Sequence, residues 1–128
     1  MSWLDDIAYD ADGLVPVIAQ DHRSAKVLMF AWMDRATLEE TAKTGQAVYY
    51  SRSRKKRWQK GEESGHFQRV LEIRMDCDAD VILLQIEQIG GVACHTGRER
   101  CFFRRLVDDQ WIVTEAPLKD PQDMYKNE

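Results

Sequence analysis

The chain has 128 residues, 44% of them hydrophobic, which suits one domain with a single modest core. Lys and Arg number 18 against 22 Asp and Glu, and the net charge of −4 argues against a general nucleic-acid binder. No apolar run is long enough to cross a bilayer, and the acidic start Met1-Ser2-Trp3-Leu4-Asp5-Asp6 is unlike a signal peptide, so a cytoplasmic protein without a membrane partner is expected.

Residues 2–7 read as a short helical turn with Trp3, Leu4 and Ile7 on one side. Asp10-Ala11-Asp12-Gly13 reads as a turn, and residues 14–20 as a strand with Pro16 at an edge or bulge. After a turn at 21–24, the apolar and aromatic run at 26–32 reads as a buried strand. The main helix is expected at about 35–44. Asp34 suits its N-cap, Met33 and Leu38 form a hydrophobic staple, Leu38, Thr41 and Ala42 face inward, and Gly45 ends it. A strand at 47–51, a basic loop at 52–60 and a loop through Gly61 and Gly65 follow. Residues 67–76 alternate from Val70 onward, with Leu71, Ile73, Met75 and Cys77 on one face and Glu72, Arg74, Asp76 and Asp78 on the other. A strand at 81–89, a break at Gly90-Gly91 and a closing pair at 101–107 and 110–114 around Asp108-Asp109 complete the domain. The polar stretch from Glu115, with Pro117 and Pro121, reads as a loosely ordered tail. The expected class is α+β and β-dominated: about seven strands in a folded-over, barrel-like mixed sheet. One domain would cover 1–114, and the tail 115–128.

Asp76-Cys77-Asp78-Ala79-Asp80 continues the alternation of the preceding strand. Extended, it would present three hard oxygen ligands on one face, suited to magnesium or calcium, and a soft sulfur on the other, suited to zinc. The acids match the first, third and fifth positions of a calcium loop, but Val81 stands where that loop needs glycine and Ile82-Leu83-Leu84 is strand-like, so an EF-hand is excluded. In Cys94-His95-Thr96-Gly97-Arg98-Glu99-Arg100-Cys101 the two thiols are seven apart, unlike the short spacer of a zinc ribbon. Cys77, Cys94 and Cys101 make an odd set, poor for disulfides and matching the three protein ligands of a catalytic zinc with an open position. His95 could instead close the site, and three ordinary buried thiols are the plain alternative.

The stretch from Tyr49 to His66 mixes cations, hydroxyls, aromatics and glycines. Arg52, Arg54, Lys55, Lys56, Arg57 and Lys60 come with no acid among them, flanked by Ser51 and Ser53. Such a loop can hold phosphate by charge-assisted hydrogen bonds while Trp58 or Tyr50 stacks on a base. It lacks the Gly-Lys-Ser/Thr order of a Walker A loop. His66, His95 and Glu62 are the candidates for general acid or base.

Over roughly residues 13–107 the chain resembles the phosphoribosyl-AMP cyclohydrolase family of histidine biosynthesis. The resemblance rests on residues 13–21, Leu28-Met29-Phe30-Ala31-Trp32-Met33, Tyr49-Tyr50-Ser51-Arg52-Ser53-Arg54, Trp58-Gln59-Lys60-Gly61-Glu62-Glu63-Ser64-Gly65-His66, the run from Asp76 to Asp80, and Cys94-His95-Thr96-Gly97 with Cys101-Phe102. Arg57 stands where an apolar residue is usual, and Glu63 where threonine is common. The resemblance implies an obligate homodimer of the stand-alone form, with zinc on Cys77 of one subunit and Cys94 and Cys101 of the other, and magnesium on Asp76, Asp78 and Asp80. It implies hydrolytic opening of the adenine ring of phosphoribosyl-AMP at N1–C6, with Ser51, Arg52, Ser53, Arg54, Trp58 and Lys60 as substrate contacts. Zinc would lower the pKa of a bound water toward neutrality. Three thiolates weaken zinc as a Lewis acid, and His95, Arg98 or the substrate's cationic ring would offset their charge. The competing reading is a zinc-stabilised module that binds nucleotides or RNA without catalysis. A zinc deaminase is a third, although the His-x-Glu and Pro-Cys-x-x-Cys signature of that class is absent.

Overall fold

A computed structural model describes residues 2–124. Strand β1 (Leu14–Asp21) supplies the centre of the core, where Val15, Val17 and Ala19 are almost wholly buried. Strand β2 (Val27–Asp34) folds back antiparallel to it, from Leu14 opposite Asp34 to Ala19 opposite Met29. This strand was expected to be buried throughout, but it is an edge. Leu28, Met29 and Met33 face the core, whereas Val27 and Phe30 are exposed.

The helix α1 (Arg35–Thr44) has the expected ends. The Asp34 carboxylate accepts from the Thr37 amide at 2.8 Å, and Thr37 Oγ1 accepts from the Asp34 amide at 3.0 Å. At the other end Gly45 is left-handed, with φ 72°, and its N–H donates to Thr41 O. The staple residues Met33 and Leu38 are both fully buried. Ala42, expected on the inward stripe, is exposed, and Thr37 takes the place beside Leu38 and Thr41. The stripe turns this way because Thr41 Oγ1 donates to Thr37 O and accepts from the Val48 amide at 2.9 Å, tying the helix to the next strand.

That strand, β3 (Val48–Ser51), pairs antiparallel with β4 (Lys56–Gln59), so the basic stretch expected as a loop is half strand. The run of cations hides the pairing in the sequence. What fixes it is the aromatic pair Tyr49 opposite Trp58, with ring centroids 5.2 Å apart. Strand β5 (Gln68–Met75) pairs antiparallel with β6 (Ile82–Gln88), and β6 runs parallel to β1. Pro16 therefore lies in a central strand, yet the β1–β6 ladder starts only at Val17 opposite Ile82, and the missing N–H of proline falls outside it. The alternation read over β5 is broken by a bulge. Val70 pairs with Ile86 and Glu72 with Gln85, which leaves Leu71 unpaired and exposed.

The resulting mixed sheet has order β2-β1-β6-β5. It is open, with β2 and β5 as edges, so the barrel-like expectation gives way to one four-stranded sheet and two separate hairpins. A single bridge, Gln46 opposite Arg69, joins the chain before β3 to β5 without extending into a ladder. The second hairpin is β7 (Arg104–Val107) with β8 (Gln110–Val113), reversing at Asp108 and Asp109, both at positive φ. Among the described residues eight strands form in place of about seven.

The described part of the expected loose tail is held to the body. Leu118 and Lys119 donate their amides to Gly97 O, and the short helix α2 (Pro121–Met124) buries Met124. Residues 125–128 of that segment lie outside the described residues. Among the described residues no helix is long and apolar enough to cross a membrane. Replacing Asp34 by Ala removes the carboxylate half of the N-terminal cap of α1, leaving the bond from the residue-34 amide to Thr37 Oγ1, and should cost about 1 kcal/mol, read as a lower urea midpoint at unchanged m-value.

Candidate active site

The acidic run does not continue the strand. β5 ends at Met75, and the chain turns through Cys77, Asp78 and Ala79, with Ala79 at φ 64°. The Asp76 carboxylate organises this turn by accepting from the Asp80 amide at 3.0 Å and the Val81 amide at 3.1 Å. The expected division into an acid face and a thiol face is therefore wrong, because the turn that reverses β5 into β6 destroys the two-residue period. The carboxylates converge all the same: one oxygen each from Asp76, Asp78 and Asp80 lies within 4.8 Å of the others. Hydrogen bonding with Asp78, partial desolvation and the neighbouring Asp76 push the Asp80 carboxyl above its usual range. At Asp76 desolvation opposes ionisation, but hydrogen bonds from Asp78 and from the Asp80 and Val81 amides outweigh it and hold the carboxyl low. Crowded oxygens of this kind fit a hard divalent cation, which would relieve their mutual repulsion.

Cys94 and Cys101 are brought together by a tight turn. The Gly97 amide donates to Cys94 O at 3.0 Å, the Cys94 amide to Arg98 O at 3.1 Å, and the Cys101 amide to Leu28 O at 2.7 Å. Cys94 is buried, and its sulfur accepts from Thr96 Oγ1. Cys101 is exposed as a residue, yet burial at its sulfur, followed by the charge of Cys94 and a hydrogen bond with it, pushes the thiol up to about 12. Cys77 is exposed on the acidic turn. Among the described residues no third cysteine, histidine or carboxylate joins Cys94 and Cys101, and the acid trio is the sole three-ligand cluster.

Lys60 stands beside the two thiols. It is buried, and its Nζ donates to Ala93 O at 2.6 Å. Burial pulls its pKa below the usual range, while the Cys101 and Cys94 thiolates oppose that pull. A lysine expected among the substrate contacts is thus also a counter-charge to the thiols. Arg98, another candidate for that task, donates from Nε to Glu115 O and stacks its guanidinium on Phe103.

The basic hairpin and the loop after it enclose a pocket of about 230 Å³ lined by Ser51, Arg54, Trp58, Lys60, Glu62 and neighbouring residues. Trp58 is half-buried against Tyr49 and leaves one side toward the pocket. Arg52 and Ser53 lie outside the lining. The Arg52 guanidinium sits 4.5 Å from the centre of the Trp32 ring, and Ser53 Oγ is 3.4 Å from Ser51 Oγ. Arg57 is fully engaged, with Nε and a terminal nitrogen both donating to Glu40.

Of the three acid–base candidates, Glu62 is exposed at the pocket, His95 is exposed on the Cys94 turn, and His66 is buried. His66 is held through its backbone by a chain of buried and half-buried polar side chains. Tyr49 donates to Gln68 Oε1, Gln68 donates to Gln88 Oε1 at 2.9 Å, and Gln88 Nε2 donates to His66 O at 2.9 Å. Gly90 packs on the His66 ring, where a Cβ would come within 2.4 Å of Cδ2. His66 Nε2 lies 3.1 Å from Lys119 Nζ. Burial lowers the His66 pKa, and the ammoniums of Lys119 and Lys60 lower it further. Lys119, Gln68 and Gln88 had no signal in the sequence, since amides in strands and a lysine in a polar tail are commonplace.

The family model of phosphoribosyl-AMP cyclohydrolase matches residues 29–103. Two relatives carry the same name, phosphoribosyl-AMP cyclohydrolase. The protein of Aromatoleum aromaticum is 62% identical, over 97% of this chain and 94% of its own. The protein of Methylobacillus flagellatus is 60% identical, over 99% of this chain and 98% of its own.

The loop that carries His66 depends on glycine at one of its two glycine positions more than at the other. At Gly61, with φ 91°, a Cβ would lie 2.4 Å from the Phe67 nitrogen, whereas at Gly65 nothing lies within 4 Å. Gly61→Ala should cost on the order of 1–3 kcal/mol, more than Gly65→Ala, as read from their urea midpoints.

Proposed function

This chain belongs to the phosphoribosyl-AMP cyclohydrolase family, and from that membership we propose that it opens the adenine ring of 1-(5-phosphoribosyl)-AMP at N1–C6 in L-histidine biosynthesis. The observation that carries the reading is a family match running through both ligand clusters, the acid trio and the paired thiols. Water's oxygen bonds to C6, the N1–C6 bond breaks, and N1 takes up a proton, giving the formimino imidazole carboxamide ribotide. No ammonia leaves. A cytoplasmic location suits such a biosynthetic hydrolase.

The chain's residues suit these tasks in distinct ways. The open side of Trp58 offers a stacking surface for the base, and Arg54 and Lys56 at the pocket edge offer charge-assisted hydrogen bonds to phosphate. His66, whose pKa is lowered by burial and by two ammoniums, is neutral near pH 7 and so can accept a proton there. Lys60 offsets the thiolate charge at Cys94 and Cys101.

The residues fit zinc and magnesium as cofactors. Asp76, Asp78 and Asp80 would hold magnesium, and Cys94 with Cys101 would form part of the zinc site. When bound, zinc would supply a water acidified toward neutrality and magnesium would neutralise phosphate oxygens. The third thiolate, Cys77, would come from a second copy of the chain, making an obligate homodimer. Exposed Leu106, Trp111, Ile112 and Val113 on the β7–β8 hairpin supply apolar surface for such a contact. A non-catalytic module that binds RNA is disfavoured by the net charge of −4.

Incubation with phosphoribosyl-AMP should give a change in absorbance as the ring opens, abolished by a chelator and restored by zinc. Lack of turnover by the metal-loaded protein, together with salt-steep RNA binding, would favour the non-catalytic module. Cys94→Ser should lose both zinc and activity, whereas Asp78→Asn should weaken magnesium dependence and keep zinc. Cys77→Ser and Cys94→Ser proteins, each inactive, should regain about a quarter of wild-type activity after mixed refolding, because half the dimers then carry one intact site of two. An absence of recovery argues against a shared zinc.

A further inference from the structure

Lys119 lies outside the residues matched by the family model, in the segment whose sequence reads as a loose tail. That segment is fastened to the body at several points near the site. Arg98 Nε donates to Glu115 O at 2.7 Å, Arg100 Nε pairs with the Glu115 carboxylate at 2.8 Å, and Leu118 and Lys119 donate their amides to Gly97 O. Gly97 has no Cβ to obstruct this approach; one would sit 1.9 Å from Lys119 O. These contacts aim the lysine side chain at His66 across the turn that carries Cys94.

Gly90 closes one edge of the His66 ring, Nδ1 is buried without a partner, and Nε2 meets Lys119 Nζ at 3.1 Å. An ammonium has three hydrogens and no lone pair, so at this contact Nε2 is the acceptor and the single proton of the neutral ring sits on Nδ1. A doubly charged pair would set two donors against each other. We propose that Lys119 is a positioning residue for His66: it fixes the ring as the neutral Nδ1–H form and so sets the lower pH limit at which His66 takes a proton. The charges acting on the ring are Lys119 from the C-terminal segment and Lys60 from the end of β4, and both act in the same direction. From β6, Gln88 brings a neutral amide, and the turn at Ile89–Gly91 brings no charge. Glu62 and Glu63, on the His66 loop itself, are exposed.

The consequence for the pH–rate profile rests on His66 being the acid–base group of the proposed reaction, whereas the pairing itself does not. The test is a nitrogen-15 NMR titration of histidine-labelled, metal-loaded protein, with the His66 signals assigned from their loss in His66→Asn. In Lys119→Met the titration midpoint of His66 should move up and the Nδ1–H preference should fade, while Lys119→Arg keeps both. A midpoint and tautomer unchanged in Lys119→Met overturn the proposal. In parallel, the acid limb of kcat/KM should move to higher pH in Lys119→Met, so that its activity relative to wild type falls on the acid side and recovers as pH rises. A uniform loss at every pH, with the ring unmoved, marks a substrate contact or a structural role and also overturns it. If the ring midpoint moves and the acid limb does not, the pairing stands and His66 loses its place in the proposed mechanism.

Discussion

The arrangement depends on one buried polar chain. Tyr49 and Gln68 are fully inaccessible, and a phenol and an amide placed there without partners would each cost on the order of 1–3 kcal/mol. They satisfy each other, and the Gln68 amide passes the connection to Gln88 and to Met29 Sδ. Each link belongs to a different piece of the fold: β3 of the basic hairpin, β5 and β6 of the sheet, and β2 at its edge. Gln88 then reaches the His66 carbonyl. The pocket hairpin, the open sheet and the acid–base loop are thereby held in one geometry, because moving any of them strands a buried donor or acceptor.

Charge is managed by a similar economy around the thiols. Burial raises the Cys101 thiol most, and the neighbouring Cys94, by its charge and its hydrogen bond, raises it further. Lys60 is buried next to them, and its ammonium loses hydration that the Ala93 carbonyl and the sulfur charges partly restore. A buried lysine with only one carbonyl partner is costly, and negative charge at Cys94 and Cys101 would offset part of that cost.

Legibility followed the range of the interactions. The α1 helix could be read to within a residue because Asp34, Met33, Leu38 and Gly45 act over one or two turns. The reversal at Asp108-Asp109 was readable for the same reason. β4 was hidden because cation-rich composition masks a strand whose stability comes from a cross-strand aromatic partner nine residues earlier, Tyr49 opposite Trp58. The bulge at Leu71 was invisible because it is set by register against β6. The acid trio was found for the wrong reason: extension and a tight turn both gather alternate carboxylates, and nothing in five residues separates the two. Lys119 was missed because its meaning lies in Gly97 and His66, distant in the chain and adjacent in space.

The same contrast in range separates the two ligand clusters. The carboxylates are gathered by a single turn, organised by amides within five residues of Asp76, so this cluster needs no more than the β5–β6 reversal to form. The thiols span residues 77 to 101, and one folded chain gathers only two of them. A soft cation bound to two thiolates keeps open positions that water or a third sulfur must fill. In the proposed dimer that third sulfur sits on the acidic turn itself, one residue from Asp76 and from Asp78. Docking of the partner would then deliver a thiolate to the zinc and a carboxylate cluster to its vicinity in the same step, so that the hard and soft sites are coupled through the five residues that carry both.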